Sequence, residues 1–281
     1  MNENGIFKGE YDRFFGVSVN SKTEPKTEKD FSSILEDSIS VWKEKKVRAV
    51  WMNVYLEHSF WIPVLVKNGF NYHHAKPNYV TMVKWLPKDE PYQIPSFAHN
   101  TLGVGGFVVN EADELLVVRE RFQSFPHWKL PGGYVEVDEN LSDAAIREVK
   151  EETGVDAVFE SLLAFRHMHK TNFGCSDLYF IVILKPVSHD ITMCKRELAD
   201  CKWMKLTDYV DHEEVHETNK FFARCYLEGK ANGTCIKMTS NKLQFKNFSK
   251  DQFIYHVTTD RIPTITNSND VSKGSETSSQ L

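Results

Sequence analysis

The sequence lacks the marks of a secreted, membrane-spanning or broadly nucleic-acid-binding protein. Its five cysteines are odd in number and include no C-x-x-C pair, which argues against a disulfide framework and favours reduced thiols. No apolar run approaches the roughly 18 residues that a transmembrane helix needs. The 34 lysines and arginines are outnumbered by 39 aspartates and glutamates, which leaves a net charge of −5. We therefore expect no basic surface for sequence-independent contact with nucleic acid.

The proportions of hydrophobic and charged residues are typical of a globular protein. Hydrophobic residues make up 41% and charged residues 26% of the 281 residues, enough for one large or two ordinary domains. The N-terminal stretch Met1-Asn2-Glu3-Asn4 is acidic and polar overall and no apolar segment follows it, so a secretory signal is not expected. These features predict a protein without membrane association, located in the cytoplasm and able to enter the nucleus.

Three prolines between residues 87 and 95 divide the chain. Such a segment is extended and typical of a linker, because proline cannot continue a helix. Before it, alternating strand and helix patterns predict a small α/β domain over residues 1–90. After it, strand patterns around a helix predict a second domain over residues 96–230, followed by a C-terminal extension over residues 231–281. We expect this extension to be largely disordered from about residue 261, where polar residues dominate.

The second domain contains a helix that concentrates negative charge on one side. This helix is predicted to begin at its cap Ser142 and to end before Gly154. Glu148, Glu151 and Glu152 stand at positions i, i+3 and i+4, so they project from one stripe. A charge run of this kind is usually a solvated helix face. Carboxylate oxygens, however, are also the ligands that Mg²⁺ takes, and a bound cation would remove their mutual repulsion.

The surroundings of this helix decide between the two interpretations. Gly133 is followed after five residues by Glu139, and after seven more by the run Arg-Glu-Val-Lys-Glu-Glu-Thr-Gly-Val over residues 147–155. This pattern of 23 residues resembles the Nudix box at every specified position, and a chance match of that stringency is not a serious competitor. The resemblance implies an α+β fold: the Nudix α/β/α sandwich with a mixed sheet, preceded by the small α/β N-terminal domain.

The resemblance also implies a metal site, with Mg²⁺ or Mn²⁺ as the cofactor. Carried over position by position, Glu148 and Glu152 match the principal metal-binding glutamates. Glu151 matches a third glutamate, which binds a further ion or helps to position the water. The carbonyl group of Gly132, just before the box, matches a backbone metal ligand.

Further residues match supporting or catalytic positions. Arg147 matches an arginine that orients the carboxylates, and Glu139 matches a residue that supports the ligands from behind. Many family members draw another glutamate from outside the box as a base or ligand. Glu197 is our candidate for this catalytic role, and its alternative role is structural, at the start of the following strand.

Other candidate residues lie outside the box. His167 and His169 share one strand face and are as well suited to lining a substrate cleft as to a structural role. Phe125 lies beside the box entrance, where an aromatic ring can stack on a base or pack in the core. His73 and His74 are adjacent on an extended segment, so we expect them to point to opposite faces and not to share a metal.

Four segments outside the box resemble one particular Nudix subgroup. They are residues 46–51, 68–77, 163–167 and 176–180. This subgroup includes plant ADP-ribose/NADH pyrophosphatases and an animal member encoded antisense to a fibroblast growth factor gene. The resemblance implies a homodimeric, metal-dependent hydrolase that splits ADP-ribose, NADH or a related dinucleotide into two monophosphates. Removal of nucleotide caps from RNA is an alternative, and a catalytically weak regulatory or interaction protein is an alternative of another class.

Overall fold

The computed structural model describes residues 5–123, 125–232, 238–243 and 252–257. The chain divides into two units, Met1–His99 and Asn100–Leu281. The predicted disorder from about residue 261 lies outside the described residues. Within the described part of the chain, no helix has the length and apolarity needed to cross a membrane.

The N-terminal unit is a five-stranded sheet with two helices. Its elements are, in chain order, β1 (Glu10–Tyr11), β2 (Gly16–Asn20), α1 (Glu28–Glu44), β3 (Ala49–Tyr55), a 3-10 turn (Leu56–His58), α2 (Trp61–Lys67), β4 (Asn71–Lys76) and β5 (Tyr79–Trp85). The strands lie in the order β1-β2-β3-β5-β4. Among the described strands of this unit, only β2 and β3 pair in parallel, because α1 connects them and returns the chain to the same end of the sheet.

One face of this sheet carries the core of the unit. Val50, Met52 and Val54 alternate along β3 and are buried in one cluster with residues of both helices. Phe31 of α1 stacks on Trp61 of α2, with ring centroids 4.3 Å apart. The other face of the sheet therefore carries the odd-numbered residues of β3.

Residues 87–97 lie against this second face. Ile94 is buried in a small cluster with Ala49 and Val83. Arg48 Nη2 donates to Glu90 Oε2 at 2.6 Å and to Gln93 Oε1 at 2.8 Å. The proline-rich segment is thus bound to the N-terminal unit by an apolar contact and by charge-assisted hydrogen bonds.

The predicted arrangement of His73 and His74 is wrong. A register shift between Tyr72 and His74 interrupts the pairing of β4 with β5. This irregularity removes the alternation of a regular strand, and the Nδ1 atoms of the two histidines lie 2.8 Å apart. His73 Nε2 also donates to the carbonyl oxygen of Pro95 at 2.9 Å. The two imidazoles therefore share one side of the strand and help to hold the proline-rich segment.

The C-terminal unit combines a mixed sheet with two antiparallel pairs. Its elements are β6 (Asn100–Val108), β7 (Glu114–Glu120), α3 (Leu141–Thr153), β8 (Ala157–Met168), a 3-10 turn (Asn172–Gly174), β9 (Ser176–Pro186), β10 (Leu198–Lys205), α4 (Leu206–Asp211), α5 (Glu217–Asn232), β11 (Met238–Leu243) and β12 (Gln252–Val257). In the three-stranded sheet β6-β9-β8, β6 is parallel and β8 antiparallel to β9. The strands β7 and β10 form one antiparallel pair, and β11 and β12 form another. Mixed sheet pairing with helices confirms the expected α+β class.

The helix α3 packs its apolar side on the mixed sheet. Ala145 and Val149 are fully buried in a cluster with residues of β6, β8 and β9. A Cβ atom at Gly106 of β6 would overlap the Val149 side chain, so glycine allows the helix to approach the strand closely. Glu152 is buried at the edge of this packed side of α3, whereas Glu148 is half-buried and Glu151 is exposed.

The prediction of the helix caps of α3 is confirmed at its C-terminus and wrong at its N-terminus. The left-handed C-cap is Gly154, with φ 77°, as predicted. The predicted N-cap Ser142 is wrong, because the helix begins earlier and its N-cap is Asn140. The backbone N–H of Ser142 donates instead to the Tyr255 hydroxyl at 3.1 Å.

Candidate active site

Arg147 organises the charged side of α3. Its guanidinium donates to both oxygens of Glu139, at 2.7 and 2.9 Å, and to Glu148 Oε1 at 2.8 Å. Longer bonds reach Glu151 Oε2 at 3.2 Å and the Tyr134 carbonyl oxygen at 3.1 Å. The bidentate hydrogen bond from Arg147 is the main cause of the lowered pKa of Glu139. Arg147 therefore links the loop before the helix to two carboxylates on the helix.

Glu152 differs from the other glutamates because it is buried, with only 6% of its surface exposed. Its Oε2 accepts a hydrogen bond from the Gly132 backbone N–H at 3.1 Å. Burial is the main cause that raises the pKa of Glu152 to about 7, and the neighbouring charges of Glu148 and Glu120 raise it further. The charge of Lys129 and the bond from Gly132 act in the opposite direction.

A cavity of about 290 Å³ opens beside Glu152, and its walls are Glu120, Phe122, Glu152, Arg196 and Glu197. It combines three carboxylates with a guanidinium and an aromatic ring that is 83% exposed. Such a mixture of polar groups and an aromatic surface is typical of a site for a small polar ligand.

Strand pairing brings Glu197 to this cavity. Leu198 at the start of β10 lies opposite Glu120 at the end of β7. The N–H of the residue after Glu120 donates to the Glu197 carbonyl at 2.8 Å, and the Cys194 N–H donates to the Glu152 carbonyl at 2.8 Å. The loop before β10 is therefore attached both to β7 and to the C-terminal part of α3.

Glu120 and Lys129 are parts of the site that the sequence did not suggest. They form an ion pair, and the charges of both act on Glu152. Burial is the largest single influence on Glu120 and acts to raise its pKa, but the bond and charge of Lys129, the bond from Gln123 and the charge of His127 together lower it. The sequence signal was modest: Glu120 is the first acidic residue after four consecutive buried residues of β7. Only the pairing with β10 shows that it lies beside the predicted glutamates.

The glycines before α3 allow the backbone to pass close to this cluster. Gly132 has φ 155°, and a Cβ atom there would overlap the carbonyl oxygen of Val104. At Gly133 a Cβ atom would lie 2.7 Å from Glu148 Oε1. A side chain at either position would therefore disturb β6 or displace the carboxylate of Glu148.

Comparisons with known proteins agree with these features of the chain. The family model for the Nudix hydrolase domain matches residues 7–86, and the model for the NUDIX domain matches residues 99–225. Nudix hydrolase 2 of Arabidopsis thaliana is 39% identical over 207 residues, which cover 73% of this chain and 74% of that protein. The chain belongs to the Nudix hydrolase family. It is therefore a hydrolase.

Two further relatives of this Nudix hydrolase span both units. Nudix hydrolase 8 of Arabidopsis thaliana is 38% identical over 225 residues, which cover 79% of this chain but only 61% of that protein. The human protein named Nucleoside diphosphate-linked moiety X motif 6 is 36% identical over 234 residues, covering 80% of this chain and 73% of that protein. The first of these relatives is thus considerably longer than the region that matches.

The three predicted substrate-binding residues of this Nudix hydrolase do not line the cavity beside Glu152. Phe125 is 82% exposed, but the ring that lines the cavity beside Glu152 is that of Phe122. His167 and His169 are exposed, and their ring centroids lie 4.3 Å apart. Neither histidine is among the residues that line this cavity. Their binding roles stay predictions.

Nudix hydrolases generally need divalent metal ions, and the side chains of this site fit such an ion in type. The available donors are carboxylate oxygens, the ligands preferred by Mg²⁺. Glu152 is buried beside two further carboxylates that raise its pKa, so the site carries negative charge that a cation would offset. Among the described residues, however, no three acidic, histidine or cysteine side chains form a group that could hold a metal ion. Arg147 forms ion pairs with both Glu148 and Glu151.

Proposed function

We propose that this Nudix hydrolase cleaves a nucleoside diphosphate linked to a second moiety, such as ADP-ribose or NADH, into two monophosphates. The observation that carries the proposal is the buried Glu152 at the wall of a cavity that also contains Glu120, Glu197 and Arg196. A diphosphate is anionic and needs both charge neutralisation and an activated water. Acidic side chains with an adjacent guanidinium suit a substrate that arrives together with a divalent cation.

The metal-binding role is proposed for residues of α3 and the loop before it. Glu148, Glu151 and Glu152, with the Gly132 carbonyl, would hold Mg²⁺ or Mn²⁺. When bound, the metal supplies charge neutralisation for the phosphates and lowers the pKa of a bound water. Arg147 positions Glu148 and Glu151 through its hydrogen bonds at 2.8 and 3.2 Å.

Other residues of the cavity provide binding and orientation. The Gly132 N–H fixes one oxygen of Glu152, and its orientation is therefore set before substrate arrives. Arg196 offers a positive charge for a phosphate oxygen. Phe122 offers an exposed ring on which a base can stack. Glu197 is placed at the cavity wall, where a carboxylate can accept a proton from water or hold a further cation.

The names of the relatives support this substrate class. The human relative is named for a nucleoside diphosphate linked to another moiety, which is the chemical description of ADP-ribose and NADH. We further propose that the protein acts in the cytoplasm and nucleus as a homodimer, and that the N-terminal unit serves assembly or substrate gating.

A turnover screen tests the proposal. The full chain is incubated with ADP-ribose, NADH, dinucleoside polyphosphates or capped RNA, with Mg²⁺, with Mn²⁺ or with excess chelator. Turnover of ADP-ribose or NADH should require the cation, and Glu152→Gln should lower kcat on the order of 100-fold. Glu228→Gln is the matched control, because Glu228 is an exposed glutamate on a helix of the same unit.

The outcomes separate the alternatives. Undiminished turnover in chelator would refute a metal-dependent reaction. Activity on capped RNA alone would favour cap removal over dinucleotide cleavage. If no substrate is turned over while Mg²⁺ still raises the melting temperature, the protein binds metal but serves as a regulatory or interaction protein.

A further inference from the structure

Two adjacent imidazoles join the proline-rich segment to the sheet of the N-terminal unit. The rings of His73 and His74, here called the imidazole pair, have their Nδ1 atoms 2.8 Å apart. His73 Nε2 contacts the Pro95 carbonyl oxygen at 2.9 Å, and its ring stands edge-on to Trp51 at a centroid distance of 5.0 Å. His74 stacks on Phe97, with ring planes 5° apart. Both imidazoles are half-buried, so they hold the segment and can still exchange protons with solvent.

The hydrogen bonds of the imidazole pair require one proton more than two neutral rings carry. A carbonyl oxygen only accepts, so the bond to Pro95 places a proton on His73 Nε2. Thr81 Oγ1 donates its single proton to Asn53 Oδ1 at 2.7 Å, so it accepts from His74 Nε2 at 3.2 Å, which places a second proton there. A third proton lies between the two Nδ1 atoms, because two facing lone pairs would repel at 2.8 Å. Two neutral imidazoles carry only two such protons, so the pair in this network carries one positive charge.

The surroundings of the imidazole pair oppose a second positive charge. Burial, followed by the charges of His73 and Lys76, holds the pKa of His74 below its ordinary value. A second proton would place two imidazolium ions side by side, and like charges at this distance repel. The side chains in contact with the pair from β3, β5 and the segment are uncharged, and these are Trp51, Tyr79, Thr81 and Phe97.

We infer that the imidazole pair is a pH-dependent catch for the proline-rich segment, closed while the two rings share one extra proton. As the pH rises, that proton leaves for solvent and the facing Nδ1 lone pairs repel each other. As the pH falls, a second proton enters and the two positive charges repel. Two free histidines share one extra proton on average near their ordinary pKa of about 6.5. The catch is therefore strongest near that pH and weakens by up to about tenfold per pH unit on either side.

Opening the catch lengthens the free chain before β6. While the catch is closed, only residues 98 and 99 lie between Phe97 and that strand. Once it is open, residues 95–99 are free, because Ile94 is held separately in its apolar cluster. At about 3.5 Å per residue, the maximal reach of this chain grows from about 7 to about 17 Å. The pH thus sets the length of the tether that joins the two units, and this effect does not depend on the proposed reaction.

NMR spectroscopy of the ¹⁵N-labelled full chain between about pH 5 and about pH 9 tests the catch. The imidazole nitrogens report the protons, and the backbone amides of Ser96 and Phe97 report the anchoring of the segment. These amide signals should move in two steps, one on each side of about pH 6.5. His74→Gln should abolish both steps, because an amide can donate or accept without a charge. Thr81→Val should abolish only the step at higher pH, because His74 Nε2 then needs no proton.

The matched control is His99→Gln, since His99 is an exposed histidine of the same unit, two residues after Phe97. This variant should leave both steps unchanged, and an effect equal to that of His74→Gln would contradict the catch. Amides that move only on the acid side in the wild type would mean that the Asn53 amide is reversed and the closed pair is neutral, which overturns the inference. Titration of both rings without any change at Ser96 and Phe97 would overturn it too. If Thr81→Val lowers the melting temperature, the wild type and His74→Gln decide.

Discussion

Replacing Arg147 by alanine should destabilise the C-terminal unit by about 2 kcal/mol. The two bonds to Glu139 and the bond to Glu148 join side chains that are 16 to 24% exposed. Charge-assisted bonds of this kind contribute about 1.5–3 kcal/mol each when well buried, and less as exposure increases. The bond to Glu151 adds little, because that side chain is 60% exposed. A loss of about 2 kcal/mol corresponds to a fall of about 4–8 °C in the melting temperature.

A double-mutant cycle measures this interaction directly. Arg147→Ala, Glu139→Gln and the double variant are melted beside the wild type, with urea unfolding as a second probe. Lys150→Ala is the matched control on the same helix, since the ion pair of Lys150 with Asp156 joins side chains that are 50 and 55% exposed. The control should change stability by less than about 1 kcal/mol. Additive effects of Arg147→Ala and Glu139→Gln would refute the network.

The effect of Arg147→Ala should also depend on pH. The folded-state pKa of Glu139 is lowered, first of all by its bond to Arg147. A carboxylate with a lowered pKa contributes stability above its unfolded value, which is about 4.3 for glutamate. That contribution is lost as the pH falls through the folded pKa. The difference in stability between wild type and Arg147→Ala should therefore be full at neutral pH and shrink below about pH 4.

Three further perturbations test the backbone, a thiol and a helix cap. Gly132→Ala should lower the free energy of unfolding by about 1–3 kcal/mol in thermal melts, because its Cβ would overlap the Val104 carbonyl. Gly5→Ala is the control, and it should have no effect because nothing lies within 4 Å of the added Cβ. Burial raises the pKa of the Cys201 thiol to about 12, so mass spectrometry after iodoacetamide treatment at neutral pH should find it unmodified in the folded protein, and rapid alkylation would contradict its burial. Thr27→Ala should cost about 1 kcal/mol, because the Thr27 side chain caps α1; unchanged urea unfolding would show that the cap contributes nothing.

The helix α3 could be predicted because its signals are local. The spacing of Glu148, Glu151 and Glu152 requires only the helical repeat, and Gly154 supplies the left-handed stop that the structure shows. The N-terminus of α3 was harder to predict, since Asn140 and Ser142 are both good capping residues. In the structure the Ser142 N–H donates to the hydroxyl of Tyr255, a residue far along the chain.

The rest of the candidate site depends on contacts between distant segments. Glu120 and Lys129 have no pattern of their own. The pairing of β7 with β10 brings Glu120 beside the loop that contains Glu197, and a bridge between Lys129 and Val118 holds Lys129 against β7. The error at His73 and His74 has a similar origin. Regular alternation is a sound expectation for a strand, but a register shift opposite β5 cannot be read from a single strand.

The parallel pairing of β6 with β9 also affects how the chain is made. Asn100 lies opposite Ser176 and Val108 opposite Leu184, so β6 leaves the ribosome well before its neighbour does. At roughly 5–20 residues per second, β6 waits several seconds for β9. During that time the edge of β6 that pairs with β9 has no partner strand, and its apolar residues lack a sheet to pack in. The nascent chain is therefore open to misassociation at this edge in that interval, and a chaperone that binds extended apolar segments would recognise β6.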